Sequence, residues 1–144
     1  MPRLDPTKRE RCPCCDYPTL GSRASYEICE LCAWEDDGQD EARADEVWGG
    51  PNHGYSLTQA RRNFRQFLVM YEPERDRRIG GPDGEHAVGV KRLLMQAFDR
   101  LESTPPSELP TLLSEIDKQE RQLYRELKNR IRIHEQAVRR SRET

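Results

Sequence analysis

Four of the five cysteines stand in two pairs: Cys12-Pro13-Cys14-Cys15, thirteen residues of spacer, then Cys29-Glu30-Leu31-Cys32. No other feature restricts the fold as tightly. Each C-x-x-C turn places two sulfurs on one side of a tight loop, half of a tetrahedron, and a hairpin-sized spacer brings two such turns together. Cys12, Cys15, Cys29 and Cys32 therefore read as one structural zinc site, with Pro13 stiffening the first turn. Two disulfides would need an oxidising compartment and would leave one cysteine over. A thioredoxin-like redox pair would need a βαβ context that the sequence lacks. An iron–sulfur cluster would use the same ligands, but zinc suits a small ribbon of this type. Cys14, between two ligands, reads as a spectator, with a competing ligand or reactive thiol as the alternative. A closed four-sulfur site leaves no position for water or substrate, which argues for scaffold and against catalysis.

The chain has 144 residues, 34% hydrophobic and 35% charged, with a mean hydropathy of −1.01. A ribbon of this composition buries too little apolar surface to fold alone, so metal binding should supply much of its stability. Residues 1–56 carry six Lys/Arg against twelve Asp/Glu, and residues 57–144 carry eighteen against fourteen. No apolar run reaches the length of a signal-peptide core or a membrane span, and reduced cysteines suit the cytoplasm.

The expected fold is α+β, mostly α: a zinc ribbon and following helix over residues 1–71, a linker loop over 72–86, and a helical hairpin over 87–144. Residues 1–10 read as a flexible lead-in, with short ribbon strands around Tyr17–Leu20 and Tyr26–Ile28. Ser56-Leu57-Thr58-Gln59 has the form of a capping box, and the helix it starts should reach about Tyr71, burying Leu57, Ala60, Phe64, Phe67, Leu68 and Tyr71. A second helix, from about His86 to Ser103, should bury Val90, Leu93, Leu94, Ala97, Phe98 and Leu101. Pro105-Pro106 ends it, Ser107 can cap a third, and that helix should run to the Arg139 region with an apolar stripe that includes Leu123, Leu127 and Ile131. The second helix looks too short to cover that stripe, which makes the third a candidate homodimer seam.

Residues 12–71 resemble the cysteine-rich CPCC family of small bacterial proteins. The likeness rests on Cys12-Pro13-Cys14-Cys15, Tyr26-Glu27-Ile28-Cys29, Cys32-Ala33-Trp34-Glu35-Asp36-Asp37-Gly38, Gly49-Gly50-Pro51-Asn52, Ser56-Leu57 and Ala60-Arg61-Arg62-Asn63-Phe64. Asp16 stands where the family often has Gly. The resemblance implies little about activity; some members sit beside toxin genes, which implies an immunity role.

Other motifs read as structural. Trp34 should pack on the ribbon, and the acids after it lack a nucleophile or a calcium-loop spacing. Gly49-Gly50-Pro51-Asn52-His53-Gly54 lacks the lysine and preceding strand of a phosphate loop. Eight acids between Glu30 and Glu46, with Arg43 as the one base, form an electronegative patch suited to a basic protein partner. Glu35, Asp36, Asp37, Asp40 and Glu41 are its expected contact residues. The expected protein is non-enzymatic and binds a protein partner, as an immunity-type protein occluding a toxin. The alternative is nucleic-acid binding or regulation through basic helices, since residues 118–144 hold nine Lys/Arg against four acids.

Overall fold

The computed structural model describes residues 4–143, so Met1–Arg3 of the expected lead-in lie outside the described residues. The protein is α+β and mostly helical, with two short strands and three α-helices among the described residues. It divides into two compact units, residues 1–72 and 73–144.

In the first unit, Asp5 caps a 3-10 turn at Pro6–Lys8, accepting from the Thr7 amide at 2.8 Å, where a flexible lead-in was expected. Strand β1 (Glu10–Arg11) then pairs antiparallel with β2 (Pro18–Leu20), with a bulge between Glu10 and Arg11. The strand expected at Tyr26–Ile28 shrinks to a single antiparallel bridge, Ile28 opposite Glu35. Ala24 and Tyr26 adopt left-handed backbone (φ 57° and 62°), which interrupts an extended run.

Helix α1 (Leu57–Phe67) begins with the full capping box: the Ser56 hydroxyl accepts from the Gln59 amide, and the Gln59 side chain accepts from the Ser56 amide. It stops four residues short of the expected Tyr71. Leu68 is left-handed (φ 60°) and turns the chain back, so that Val69, Met70 and Tyr71 enter the core as a returning segment. The Asn63 side chain donates to the Met70 carbonyl at 2.8 Å and holds this reversal. Apolar residues from a helix and from the segment folding back on it make one run in sequence, so periodicity alone reads them as one helix. Leu20, Leu31, Trp34, Leu57 and Met70 are completely buried at the centre of this unit.

In the second unit, α2 (Glu85–Asp99) packs against α3 (Leu109–Glu143). Val90, Leu94, Ala97 and Phe98 are buried on α2, with Leu112, Ile116 and Leu123 on α3. Helix α2 ends before the expected Ser103, and Leu93, expected inside, is 48% exposed. Lys91 is completely buried, its Nζ 2.7 Å from Asp83 Oδ2. Asp83 also accepts from Arg78 at 3.0 Å and Arg130 at 2.7 Å, and Arg78 pairs with Asp76 at 2.7 Å. The stretch expected to be a linker is therefore pinned to both helices. Gly80 (φ 87°) lies against α3 so closely that an added Cβ would sit 2.6 Å from Arg130 Cγ, which only glycine avoids. Correspondingly, Leu123 is buried and Leu127 and Ile131 half-buried within the chain, contrary to the expected bare stripe. Arg130 turns to Asp83 rather than to Glu126 four residues before it, while Glu126 meets His86 and Gln122.

Burial pushes the Asp83 carboxyl up, but the charges of Lys91 and Arg78 and hydrogen bonds from Lys91 and Arg130 outweigh it and hold the group down to about 2. A carboxyl depressed by folding stabilises fully above its unfolded value and loses that contribution as pH falls through the folded one. The second unit should thus lose about 2 kcal/mol between pH 4 and pH 2, read as a falling urea midpoint of the helical circular-dichroism signal. Asp83→Ala should cost about 3–5 kcal/mol at neutral pH, because it leaves the fully buried Lys91 without its counter-charge.

Candidate metal centre

The two cysteine turns are built alike. In the first, the Asp16 amide donates to the Cys12 carbonyl (2.8 Å) and the Cys12 amide to the Tyr17 carbonyl (3.0 Å). In the second, the Ala33 amide donates to the Cys29 carbonyl (2.9 Å) and the Cys29 amide to the Trp34 carbonyl (2.9 Å). In both, the residue after the second ligand is left-handed: Asp16 at φ 65° and Ala33 at φ 71°. That twist closes the turn and aims two sulfurs at one point. Aspartate tolerates this conformation better than most residues, and alanine is strained in it.

The four sulfurs of Cys12, Cys15, Cys29 and Cys32 all lie within 4.8 Å of one another, and all four residues are buried. Cys12 Sγ is 3.6 Å from Cys32 Sγ, and Cys15 Sγ is 3.7 Å from Cys29 Sγ. A tetrahedral metal–sulfur bond of about 2.3 Å implies edges of about 3.8 Å, so the donor set fits a tetrahedral soft-ligand metal ion. Burial pushes the Cys15 and Cys32 thiols up. Burial also pushes Cys29 up, but hydrogen bonds from Cys12, Cys15, Cys32 and Thr19 outweigh it and hold Cys29 below the usual thiol range. The Thr19 hydroxyl is 3.0 Å from Cys29 Sγ, and the Cys32 amide donates to the same sulfur at 3.5 Å.

Contacts from later in the chain fix both turns. Arg61 on α1 donates to the Pro13 carbonyl at 2.9 Å, and the Met70 amide donates to the Cys32 carbonyl at 2.8 Å. Arg61 also bridges to Glu41 at 2.8 Å. Cys14 is buried but stands outside the four-sulfur group. These supports carry no local sequence signal; an arginine on a helix face and the Met70 amide become relevant only after the chain has folded back.

The expected acidic contact residues separate. Asp40 and Glu41 are exposed, while Glu35 and Asp37 are half-buried. Asp36 is completely buried, which corrects its assignment to a partner surface. Its Oδ2 accepts from Arg23 Nε (2.9 Å) and the Ala24 amide (2.6 Å), and its Oδ1 from the Gly38 amide (3.2 Å). A carboxylate satisfied three ways inside the protein is a loop pin, not a contact. Asn52 was missed as well: its side-chain oxygen accepts from the Glu35 amide (3.0 Å) and its nitrogen donates to the Glu35 carbonyl (2.7 Å). Trp34 is completely buried, as packing on the ribbon requires.

A protein-family model described as Cysteine-rich CPCC matches residues 10–84, just over half the chain and thirteen residues beyond the resemblance read from the sequence. No curated protein and no solved structure matches.

Cys29→Ser should abolish stoichiometric metal binding and unfold residues 11–55 while most helical signal persists; metal analysis alongside circular dichroism checks both. Cys14→Ser should keep the metal. Ala33→Gly should stabilise the metal-loaded unit by about 1 kcal/mol, read by denaturant titration, because glycine accepts the left-handed backbone without strain.

Proposed function

The chain belongs to the cysteine-rich CPCC family, and on that footing we propose that it is a zinc-stabilised, non-enzymatic binding protein of the cytoplasm. Its partner is a basic protein, and its role is immunity-type occlusion of a toxin. The observation that carries this reading is the exposed acidic strip at Asp40, Glu41, Asp45 and Glu46, beside a metal site built to be closed. Zinc fits the four-thiolate donor set, would neutralise half of its charge and would supply folding free energy rather than a reactive position. Three of the strip's neighbours hold it in place: Arg61 bonds Glu41, Thr58 bonds Asp45, and Gln39 donates to the Arg43 and Glu46 carbonyls. A fixed array of like charges steers an oppositely charged partner and speeds its association.

The alternative, nucleic-acid binding, draws on the exposed basic end of α3, where Arg139, Arg140 and Arg142 have few acids nearby. The same end, with exposed Ile133 and Val138, is also the surface through which a homodimer would form. No described helix is long and apolar enough to cross a membrane.

Neutralising the strip as Asp40→Asn, Glu41→Gln and Glu46→Gln should slow association with a basic toxin-type partner about 10-fold at low salt. The effect should shrink at 1 M salt, where the screening length falls to about 3 Å. Metal content should be unchanged, and the thermal midpoint should fall only slightly, since the Glu41–Arg61 pair it removes is solvent-exposed at Glu41. Unaltered stopped-flow association at low salt would move the binding face to the helices, and duplex binding that weakens steeply with salt would favour the alternative.

A further inference from the structure

The segment before the second cysteine turn forms a short two-stranded ribbon with residues 34–36. The Cys29 amide donates to the Trp34 carbonyl, and the Asp36 amide donates to the Glu27 carbonyl at 3.0 Å. These bonds flank the Ile28–Glu35 bridge, so both residues turn their own amide and carbonyl away from the ribbon, toward its two edges. The edges differ. On the Glu35 side, the buried Asn52 carboxamide takes both backbone groups, as a third strand would. On the Ile28 side, no described residue bonds the amide or the carbonyl. One edge is closed by the chain itself and the other is open.

The open edge carries an unusual side chain. The Tyr26 amide donates to the Asp36 carbonyl (2.9 Å) while Asp36 donates to Glu27, so Tyr26 and Glu27 together oppose Asp36 in a bulge whose first residue is left-handed. That position is normally glycine. Here it holds a tyrosine 61% exposed, so burial does not offset its strain; Ile28, two residues on, is 60% exposed. The buried Asp36, through Arg23 and the Ala24 amide, fixes the loop in this conformation. In the sequence around the edge, residues 27–42 contain seven acids and no Lys or Arg; Asp36 is buried against Arg23, and the other six are half-buried or exposed.

We propose that the Tyr26–Ile28 edge is a docking site for an extended, basic segment of a protein partner, which adds as a strand along Ile28 and packs apolar side chains on Tyr26 and Ile28. This rests on the acidic-surface reading above and names its anchor. Backbone bonds at an open edge give the pairing, alternate side chains give the selectivity, and the acids set the sign of the partner's charge. The same acids disfavour a second copy of this chain, which would set like charges face to face across the edge.

The probe is a fluorescein-labelled peptide of alternating valine and arginine, titrated by anisotropy against the zinc-loaded full chain. The wild type should bind it, and the Ile28 amide should become protected from hydrogen exchange. A peptide of the same sequence, N-methylated at alternate backbone nitrogens, should bind at least 10-fold more weakly, as should Ile28→Thr. Tyr26→Gly gives the sharpest readout: the thermal midpoint should rise as the strain is relieved, while peptide affinity falls at least 10-fold. A purely structural tyrosine would move both in the same direction. Equal binding of the N-methylated peptide, or an Ile28 amide that stays unprotected, would overturn strand addition and leave the charge-steered surface standing. Binding insensitive to Asp40→Asn, Glu41→Gln and Glu46→Gln would sink the acidic-surface reading itself. Self-association by sedimentation that Ile28→Thr abolishes would assign the edge to a second copy and overturn the basic partner.

Discussion

Four thiolates cannot be buried together without a cation. The first unit brings the sulfurs of Cys12, Cys15, Cys29 and Cys32 within 4.8 Å of one another, in residues that are almost wholly shielded from water. Hydrogen bonds hold the Cys29 thiol below the usual range against its burial, while burial drives Cys15 and Cys32 up. A divalent ion would remove that conflict, and its bonds to sulfur would tie the two turns together beside the core built on Leu20, Leu31, Trp34, Leu57 and Met70. The surroundings answer the same constraint. Two left-handed residues shape the turns, Thr19 shares the charge on Cys29, and Arg61 and Met70 tie the turns to α1 and to the segment returning from it.

Around that centre, polar pins replace extended secondary structure. Asp36 organises the loop at residues 23–26, Asn52 closes one ribbon edge, Asn63 holds the chain reversal after α1, and Gln39 gathers two carbonyls of the acidic strip. Each is buried, and the bonds each makes to nearby backbone fix a loop. The second unit uses the same device in charged form. Asp83 draws Arg78, Lys91 and Arg130 together and sets the loop at residues 76–83 onto its helices. The cost of leaving any one of these charges unpaired inside the protein makes the arrangement specific.

The pins also separate residues that look equivalent in the sequence. Asp36 and Asp37 adjoin, yet one is completely buried and the other half-exposed. Glu41 and Glu46 lie on the surface, and Asp40 caps the short turn at Glu41–Arg43. The exposed acidic surface is consequently narrower than the run of acids in the sequence.

Several features were legible before folding. The two C-x-x-C turns pointed to the four-cysteine cluster because sulfur spacing is a local property, set by a few backbone angles. The capping box at Ser56–Gln59 marked the start of α1 for the same reason, and the apolar rows of α2 and α3 revealed the hairpin because helical period repeats every few residues. What only the tertiary structure decided depends on residues far apart in the chain. Lys91 is inside because Asp83 offers it a buried counter-charge, and Leu93, two residues on, falls on the opposite side of α2. Helix α1 stops at Phe67 because the returning Met70 has a carbonyl waiting at Cys32. Asp36 became a pin once Arg23 and the Ala24 amide were folded over it. Local periodicity and spacing determine which elements and ligands form; pairings between distant polar groups, which no local pattern encodes, determine where the elements end and which charges reach the surface.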